Sequence, residues 1–182
     1  MDTDSLNAFV EAALLTSRGP VSIVGLTEAI GDAEVGEELV VEVLECLQEL
    51  WRRQERGIRL ETVAGGWRCV TPPNLDDALR AFHGLVAKQR LSQAGLEVLA
   101  IVGYRQPVTL PEINFVRGAN STGVVKTLLD RGLIRIAGRK KVVGKPFLYR
   151  TTKEFLVHFG LDTIEELPDP EKMVIDEVPE AN

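Results

Sequence analysis

One feature constrains this chain more than any other: its sequence repeats itself at an offset of 87 residues. Arg18, Pro20, Val21, Ser22, Ile23, Leu26 and Gly31 stand opposite Arg105, Pro107, Val108, Thr109, Leu110, Ile113 and Gly118. Upstream, Ala13 and Leu14 stand opposite Ala100 and Ile101. So many matches in one register imply a duplicated structural unit. Two copies are too few for a solenoid, which leaves a pair of related domains.

Each copy predicts the same order of elements. An apolar helix comes first, over Leu6–Leu15 in one copy and Ser92–Val102 in the other, with Ser92 as N-cap. A Pro-Val-Ser or Pro-Val-Thr turn leads into a short second helix capped by Ser22 or Thr109. Glu112, three residues after Thr109, completes a capping box. Gly31 and Gly118 close these helices where a left-handed residue is needed. A third helix follows, over 36–56 with Val40, Val43, Leu44, Leu47, Leu50 and Trp51 on one face, and over 121–131 in the second copy. The periodicity then switches from 3.6 to 2. Ile58–Val63 and Trp67–Thr71 form a hairpin about Gly65-Gly66, and Leu133–Ala137 pairs with Phe147–Arg150 across a longer loop. Three helices and a hairpin, twice, predict a mainly α fold with small β-hairpins (α+β): tandem winged-helix domains. The expected domains are 1–73, a connecting helix and linker over 74–90, a second winged helix over 91–160, and an acidic, disordered tail over 161–182.

Composition then excludes function classes. Apolar residues make up 45% and charged residues 26%, as in ordinary globular proteins. No apolar run is long enough to span a bilayer, and Met1-Asp2-Thr3-Asp4 is acidic where a secretory leader is basic, so a cytoplasmic protein without membrane contact is expected. Cys46 and Cys69 lie in no CxxC, and neither His83 nor His158 has a spacing that suggests a dyad or metal site. No phosphate-binding loop, nucleophile elbow or zinc motif occurs, so no cofactor and no catalysis are expected.

Charge separates the two copies. The chain carries 21 basic and 27 acidic side chains, a net of −6. Residues 1–87 hold 7 basic and 15 acidic groups, a net of −8, whereas 88–160 hold 13 and 4, a net of +9. Glu37, Glu38, Glu42, Glu45 and Glu49 line the third helix of the first copy and would repel a phosphate backbone. The second copy, with Arg139-Lys140-Lys141 and Lys145 in its wing, allows weak, sequence-indifferent DNA contact. A winged-helix transcription regulator is therefore the alternative to a protein-binding module. The opening helix is apolar on more than one face, and Leu6, Phe9, Val10 and Ala13 are candidates for a homodimer contact. Cover by the connecting helix or the second module of the same chain stays open as the other explanation.

From Leu99-Ala100-Ile101-Val102-Gly103-Tyr104-Arg105-Gln106-Pro107-Val108-Thr109 onward, the second copy resembles the segregation and condensation protein B (ScpB) family. Val116-Arg117-Gly118, Leu128–Ile134, Gly138-Arg139-Lys140, Gly144–Tyr149, Thr151–Leu156 and Phe159-Gly160-Leu161 carry the resemblance further. Gly57-Ile58 and Val63–Trp67 resemble it more loosely in the first copy. The resemblance implies a non-enzymatic, nucleoid-associated subunit of a chromosome-condensation complex. It would be a homodimer through its first domain that holds the central segment of the kleisin ScpA, and through ScpA would join an SMC ATPase. Within those motifs, Tyr104, Arg105, Gln106, Arg117, Arg139, Lys145, Tyr149 and Lys153 are candidates for the partner-binding surface. Lys141 and Arg150 depart from the family pattern and make the second domain more basic.

Overall fold

A computed structural model describes residues 2–84 and 90–169. The chain divides into two compact units between Arg90 and Leu91. Each unit has its own hydrophobic cluster.

The first unit runs α1 (Thr3–Thr16), α2 (Ile23–Ile30), α3 (Glu37–Arg53), β1 (Arg59–Val63), β2 (Gly66–Val70), a 3₁₀ turn (Pro73–Leu75) and α4 (Asp76–Phe82). Asp2 caps α1 by accepting from the Ser5 N–H at 2.8 Å, and Ser22 caps α2 through Gly25 at 3.1 Å. Gly31 ends α2 at φ 64°, a left-handed conformation that glycine adopts without steric cost. Leu6, Val10 and Leu14 of α1 meet Leu26 of α2 and Val40, Val43, Leu44, Leu47 and Trp51 of α3 in one core. The 3.6 periodicity of the sequence thus places most of each apolar stripe inward. Leu50, expected on the same face of α3, is exposed because its register falls to the flank of the buried stripe.

The hairpin corrects one sequence expectation. Its turn is centred on Ala64 and Gly65, at φ 54° and 72°, rather than on Gly65-Gly66. Both central residues of such a turn need positive φ. Gly66 belongs to β2, paired with Val63, and is needed for a different reason. A Cβ there would lie 2.8 Å from the carbonyl oxygen of Val21. Val21 and Trp67 exchange backbone hydrogen bonds of 2.8 Å each, a bridge that ties the start of α2 to the hairpin.

The second unit repeats the plan: α5 (Gln93–Arg105), β3 (Val108–Thr109), α6 (Leu110–Arg117), α7 (Thr122–Asp130), β4 (Ile134–Arg139), β5 (Phe147–Thr151) and α8 (Lys153–Phe159). Its sheet is three-stranded, in the antiparallel order β3-β5-β4. β3 was not expected from the sequence, because a two-residue strand has no periodicity to detect. Val108 pairs with Tyr149, as Val21 pairs with Trp67 in the first unit. Ser92 caps α5, and the Thr109 N–H and hydroxyl both donate to Glu112 at the start of α6, at 2.8 and 2.7 Å. This is the capping interaction that the spacing predicts. The architecture is the mainly α, tandem winged-helix fold that the repeat predicts.

A second correction concerns the segment after Gly160. Leu161, Ile164 and Leu167 pack against the core of the second unit, a 3₁₀ turn spans Ile164–Glu166, and the Tyr104 hydroxyl donates to the Pro168 carbonyl at 2.7 Å. A Cβ on Gly103 would meet Leu167 at 3.3 Å, so a glycine on α5 makes room for this strap. Residues 161–169 are therefore ordered by apolar contact despite their acidic composition. The remainder of the expected tail, 170–182, lies outside the described residues.

Candidate partner-binding site

The wing of the second unit is built by a strand irregularity. Between β4 and β5, Ile136 faces Tyr149 but Gly138, not Ala137, faces Leu148. The extra residue shifts the register and re-aims the end of β4. Arg139 then stands opposite Phe147, with its guanidinium 4.0 Å from the ring centroid and one N–H donated to the Lys145 carbonyl at 3.1 Å. Stacking of this kind contributes about 0.5–1 kcal/mol at exposed sites. Lys145 sits at φ 39° beside Gly144 at φ 84°, so the tip turns back sharply and the Lys140 N–H reaches the Pro146 carbonyl at 2.9 Å. Arg139, Lys140, Lys141, Val142, Val143 and Lys145 line an open concavity at this tip.

Lys140 leans away from that cluster to pair with Glu112 on α6. Lys140, and the hydroxyl and N–H of Thr109, together hold the Glu112 carboxyl down to about 2. The wing and α6 are thereby joined, and α6 presents Phe115 one turn beyond Glu112, 88% exposed. Val142 and Val143 are exposed on the wing. The two valines lie beside the cations of the wing, and apolar side chains so open to solvent in a basic surrounding suit an acidic, apolar segment. Burial in α6 falls on Ile113, so the helical register puts Phe115 outward. In the sequence, the spacing of Phe115 from Ile113 carries this signal.

The structure sorts the eight candidate partner residues into two groups. Arg139 and Lys145 come together in the wing, while Arg105 and Lys153 are exposed on α5 and α8. The other four are engaged within the unit. Tyr149 is buried in the core, and Gln106 accepts from the Thr151 N–H and hydroxyl at 2.8 and 3.0 Å. Arg117 pairs with Glu97 at 2.9 Å and donates to Ser121 at 3.1 Å, leaving its side chain 14% exposed. Tyr104 keeps an exposed ring edge but commits its hydroxyl to Pro168. Of the four residues expected at a dimer contact, Leu6 and Val10 are 1% and 0% exposed and face the module's own core. Phe9 and Ala13 are half-buried on the flank of α1. Any part that Leu6 and Val10 take in a contact is to hold α1 in place.

The first unit contrasts with this surface. The α3 carboxylates of Glu37, Glu38, Glu42 and Glu45 are exposed, and Glu49 binds both Arg52 and Arg53, which together pull its carboxyl down to about 2. Burial raises the Cys69 thiol, with Glu11 adding to the shift, the reverse of what a reactive thiol requires. Among the described residues no three His, Cys, Asp or Glu side chains are grouped to hold a metal ion, and no helix is long and apolar enough to cross a membrane.

Fold and surface together define a tandem winged-helix protein whose exposed features suit docking. The model of the family described as "Segregation and condensation complex subunit ScpB" matches residues 8–170. A segregation and condensation protein B from Moorella thermoacetica is 42% identical over 168 residues, covering 91% of this chain and 83% of that one. The corresponding protein of Syntrophotalea carbinolica is also 42% identical, covering 92% and 83%. Among solved structures, ScpB from Mycobacterium tuberculosis is 34% identical over 88% of this chain and 98% of its own, with a TM-score of 0.43. A dimer of a ScpB N-terminal domain complexed with a ScpA peptide covers 43% of this chain and 95% of its own at 29% identity, with a TM-score of 0.39. The chain belongs to the ScpB family of segregation and condensation complex subunits.

Proposed function

We propose that the chain is a non-enzymatic, homodimeric scaffold in a chromosome-condensation complex, cytoplasmic and associated with the nucleoid. In this reading residues 1–73 pair two copies along α1, and residues 91–160 hold the central segment of the kleisin ScpA, which joins the assembly to an SMC ATPase. Family membership supports the complex and the partner. The observation that favours the second unit as the clamp is its exposed apolar and basic side chains. Val142 and Val143 lie beside Arg139, Lys141 and Lys145 in the wing. Phe115 is exposed on α6, the helix that Lys140 of the wing reaches through Glu112. Exposed apolar side chains beside cations fit an acidic, apolar peptide better than they fit bare phosphates.

Light scattering with and without the kleisin's central segment tests the reading. The expected species alone has twice the 20.0 kDa of one chain, and it gains mass with the segment. A monomer that ignores the segment overturns it. A second reading, weak non-specific DNA contact by the same wing, is favoured by the exposed Lys126 and Thr127 of α7, which lie where a winged helix meets DNA. Binding to duplex DNA that weakens steeply with salt, in the absence of the kleisin, would support it.

A further inference from the structure

Two arginines stand directly opposite each other on the hairpin of the second unit. Arg135 of β4 pairs in register with Arg150 of β5, and both are exposed. Side chains alternate along a strand, so the neighbouring Ile134 and Tyr149, which are buried, take the inner face and the two arginines take the solvent face. Residues so paired have Cβ atoms about 4.5–5.5 Å apart, and like charges at that spacing oppose each other. Neither arginine has a side-chain hydrogen bond or ion pair among the described residues. Nearby carboxylates of the unit are engaged elsewhere, Glu97 with Arg117 and Glu112 with Lys140. Two guanidinium groups held side by side without a counter-charge match a bound carboxylate.

The same chain carries carboxylates to this place. The strap over 161–169 is fastened where the Tyr104 hydroxyl donates to the Pro168 carbonyl at 2.7 Å. Two residues beyond Tyr104, Gln106 accepts from the Thr151 N–H at 2.8 Å, and Thr151 follows Arg150 on β5. The strap thus ends by the part of α5 that joins the sheet next to the arginine pair. Residues 170–182 continue from it with Glu171, Asp176, Glu177 and Glu180 against one cation, Lys172, whereas residues 88–160 hold 13 basic and 4 acidic groups. Asp176 lies seven residues beyond Asp169, a reach of up to about 23 Å when extended. Ile175 and Val178 flank the acidic pair. On the sheet, Leu148 shares a face with Arg150, is half-buried, and stands opposite Gly138, which has no side chain to cover it.

We propose that residues 170–182 fold back onto the solvent face of this hairpin, with the carboxylates of Asp176 and Glu177 between Arg135 and Arg150 and an apolar neighbour against Leu148. The chain thereby shields part of its own basic surface from other anions. A tethered occupant acts at high effective concentration, so a few charge-assisted bonds suffice to hold it. The contact lies at the base of the hairpin, apart from the concavity at the wing tip, and is independent of which segment that tip binds.

Amide and arginine Nε–H resonances of the full-length, ¹⁵N-labelled protein test this contact. The double variant Asp176→Asn, Glu177→Gln should move the signals of Arg135 and Arg150 and leave those of the first unit in place. The reciprocal variant Arg135→Gln, Arg150→Gln should move the amides of residues 174–178. Both sets of shifts should be unchanged on tenfold dilution, as an intramolecular contact requires. Inorganic phosphate should then shift Arg135 and Arg150 at several-fold lower concentration in the tail variant than in the wild type, because the occupant no longer competes. Signals of Arg135 and Arg150 that ignore the tail variant overturn the proposal. So do shifts that fade on dilution, which would make a second copy the occupant, and equal phosphate affinity in the two proteins, which would mean that the face is open.

Discussion

The two units share a frame and oppose each other in surface. In both, a Pro-Val pair leads into the second helix and the valine pairs with the hairpin, Val21 with Trp67 and Val108 with Tyr149. In both, a left-handed glycine closes that helix, at φ 64° and 68°. The third helices then diverge. α3 is a long helix whose outer face is carboxylate, and α7 is a short one whose outer face is Thr122, Lys126, Thr127 and Asp130. The hairpins diverge as well. The first closes in a tight Ala64-Gly65 turn, while the second extends into a basic wing tied to α6 through Lys140 and Glu112. A duplicated core tolerates this because packing fixes only inward positions, which leaves the outer face of each helix free to suit a different partner.

The largest effect that would sharpen the comparison comes from truncating the matched core positions. Leu26 and Ile113 occupy equivalent sites in α2 and α6, 1% and 0% exposed. Leu26→Ala or Ile113→Ala should each cost about 2–5 kcal/mol, confined to its own unit because the two cores are separate clusters. Both tryptophans lie in the first unit and both tyrosines in the second. Tryptophan fluorescence should therefore report the loss for Leu26→Ala and leave the midpoint of Ile113→Ala unmoved. A common transition for both variants would break the picture of separate cores.

Gly66→Ala comes next. The added methyl meets the Val21 carbonyl at 2.8 Å, so the Val21–Trp67 bridge must open or the strand must shift. Forced overpacking of this kind costs about 1–3 kcal/mol. Gly65 has nothing near its Cβ position, but its φ of 72° makes substitution there a backbone penalty instead. Denaturant melts followed by tryptophan fluorescence should show a loss for Gly66→Ala. An unchanged midpoint would mean that the bridge contributes nothing to the first unit.

A smaller effect distinguishes the wing. Glu112 is held at about 2 against 4.5 when unperturbed. Its folded value is depressed, so the stability it brings is present above about 4.5 and is lost as pH falls toward 2. Both Lys140 and Glu112 are more than a third exposed, which screens the pair and limits its worth to less than about 1 kcal/mol. Glu112→Gln should flatten the acid limb of the second unit's unfolding curve, followed by tyrosine fluorescence. Equal acid sensitivity in wild type and variant would show that the wing is not tied to α6 in solution.

Most of the fold was legible because duplication and periodicity are properties of inward-facing residues. Leu26, Val40, Leu44 and Trp51 declared themselves by spacing, and Ser22, Ser92 and Thr109 by capping chemistry, whereas Leu6 and Val10, expected at a dimer contact, face the core. What escaped lacked a period. β3 is two residues long, and Leu161, Ile164 and Leu167 make a single turn inside an acidic stretch, so composition outweighed three well-spaced apolar side chains. The site was less legible than the fold. A string of letters does not tell an arginine that reaches solvent from one that closes an internal ion pair. Arg117 and Glu97 are 20 residues apart, and only the folded chain brings them together. Gln106 and Tyr149 likewise read as surface groups by polarity, and only the folded chain shows that they face Thr151 and the core.

That distinction is itself testable at two arginines of one unit, and here the expected change in stability is the smallest. Arg105 ends α5, is exposed, and has no side-chain partner among the described residues, whereas Arg117 is enclosed by Glu97 and Ser121. Arg105→Glu should alter the unfolding free energy by no more than about 0.5 kcal/mol, the usual range for a surface change. Arg117→Glu places a carboxylate against Glu97 and should cost more, so any loss of kleisin binding in that variant reports damage to the fold. Reversal of charge at Arg105 therefore isolates binding from stability. Kleisin affinity that falls at Arg105→Glu with an unchanged melt would put α5 on the partner surface. Unchanged affinity would confine that surface to α6 and the wing.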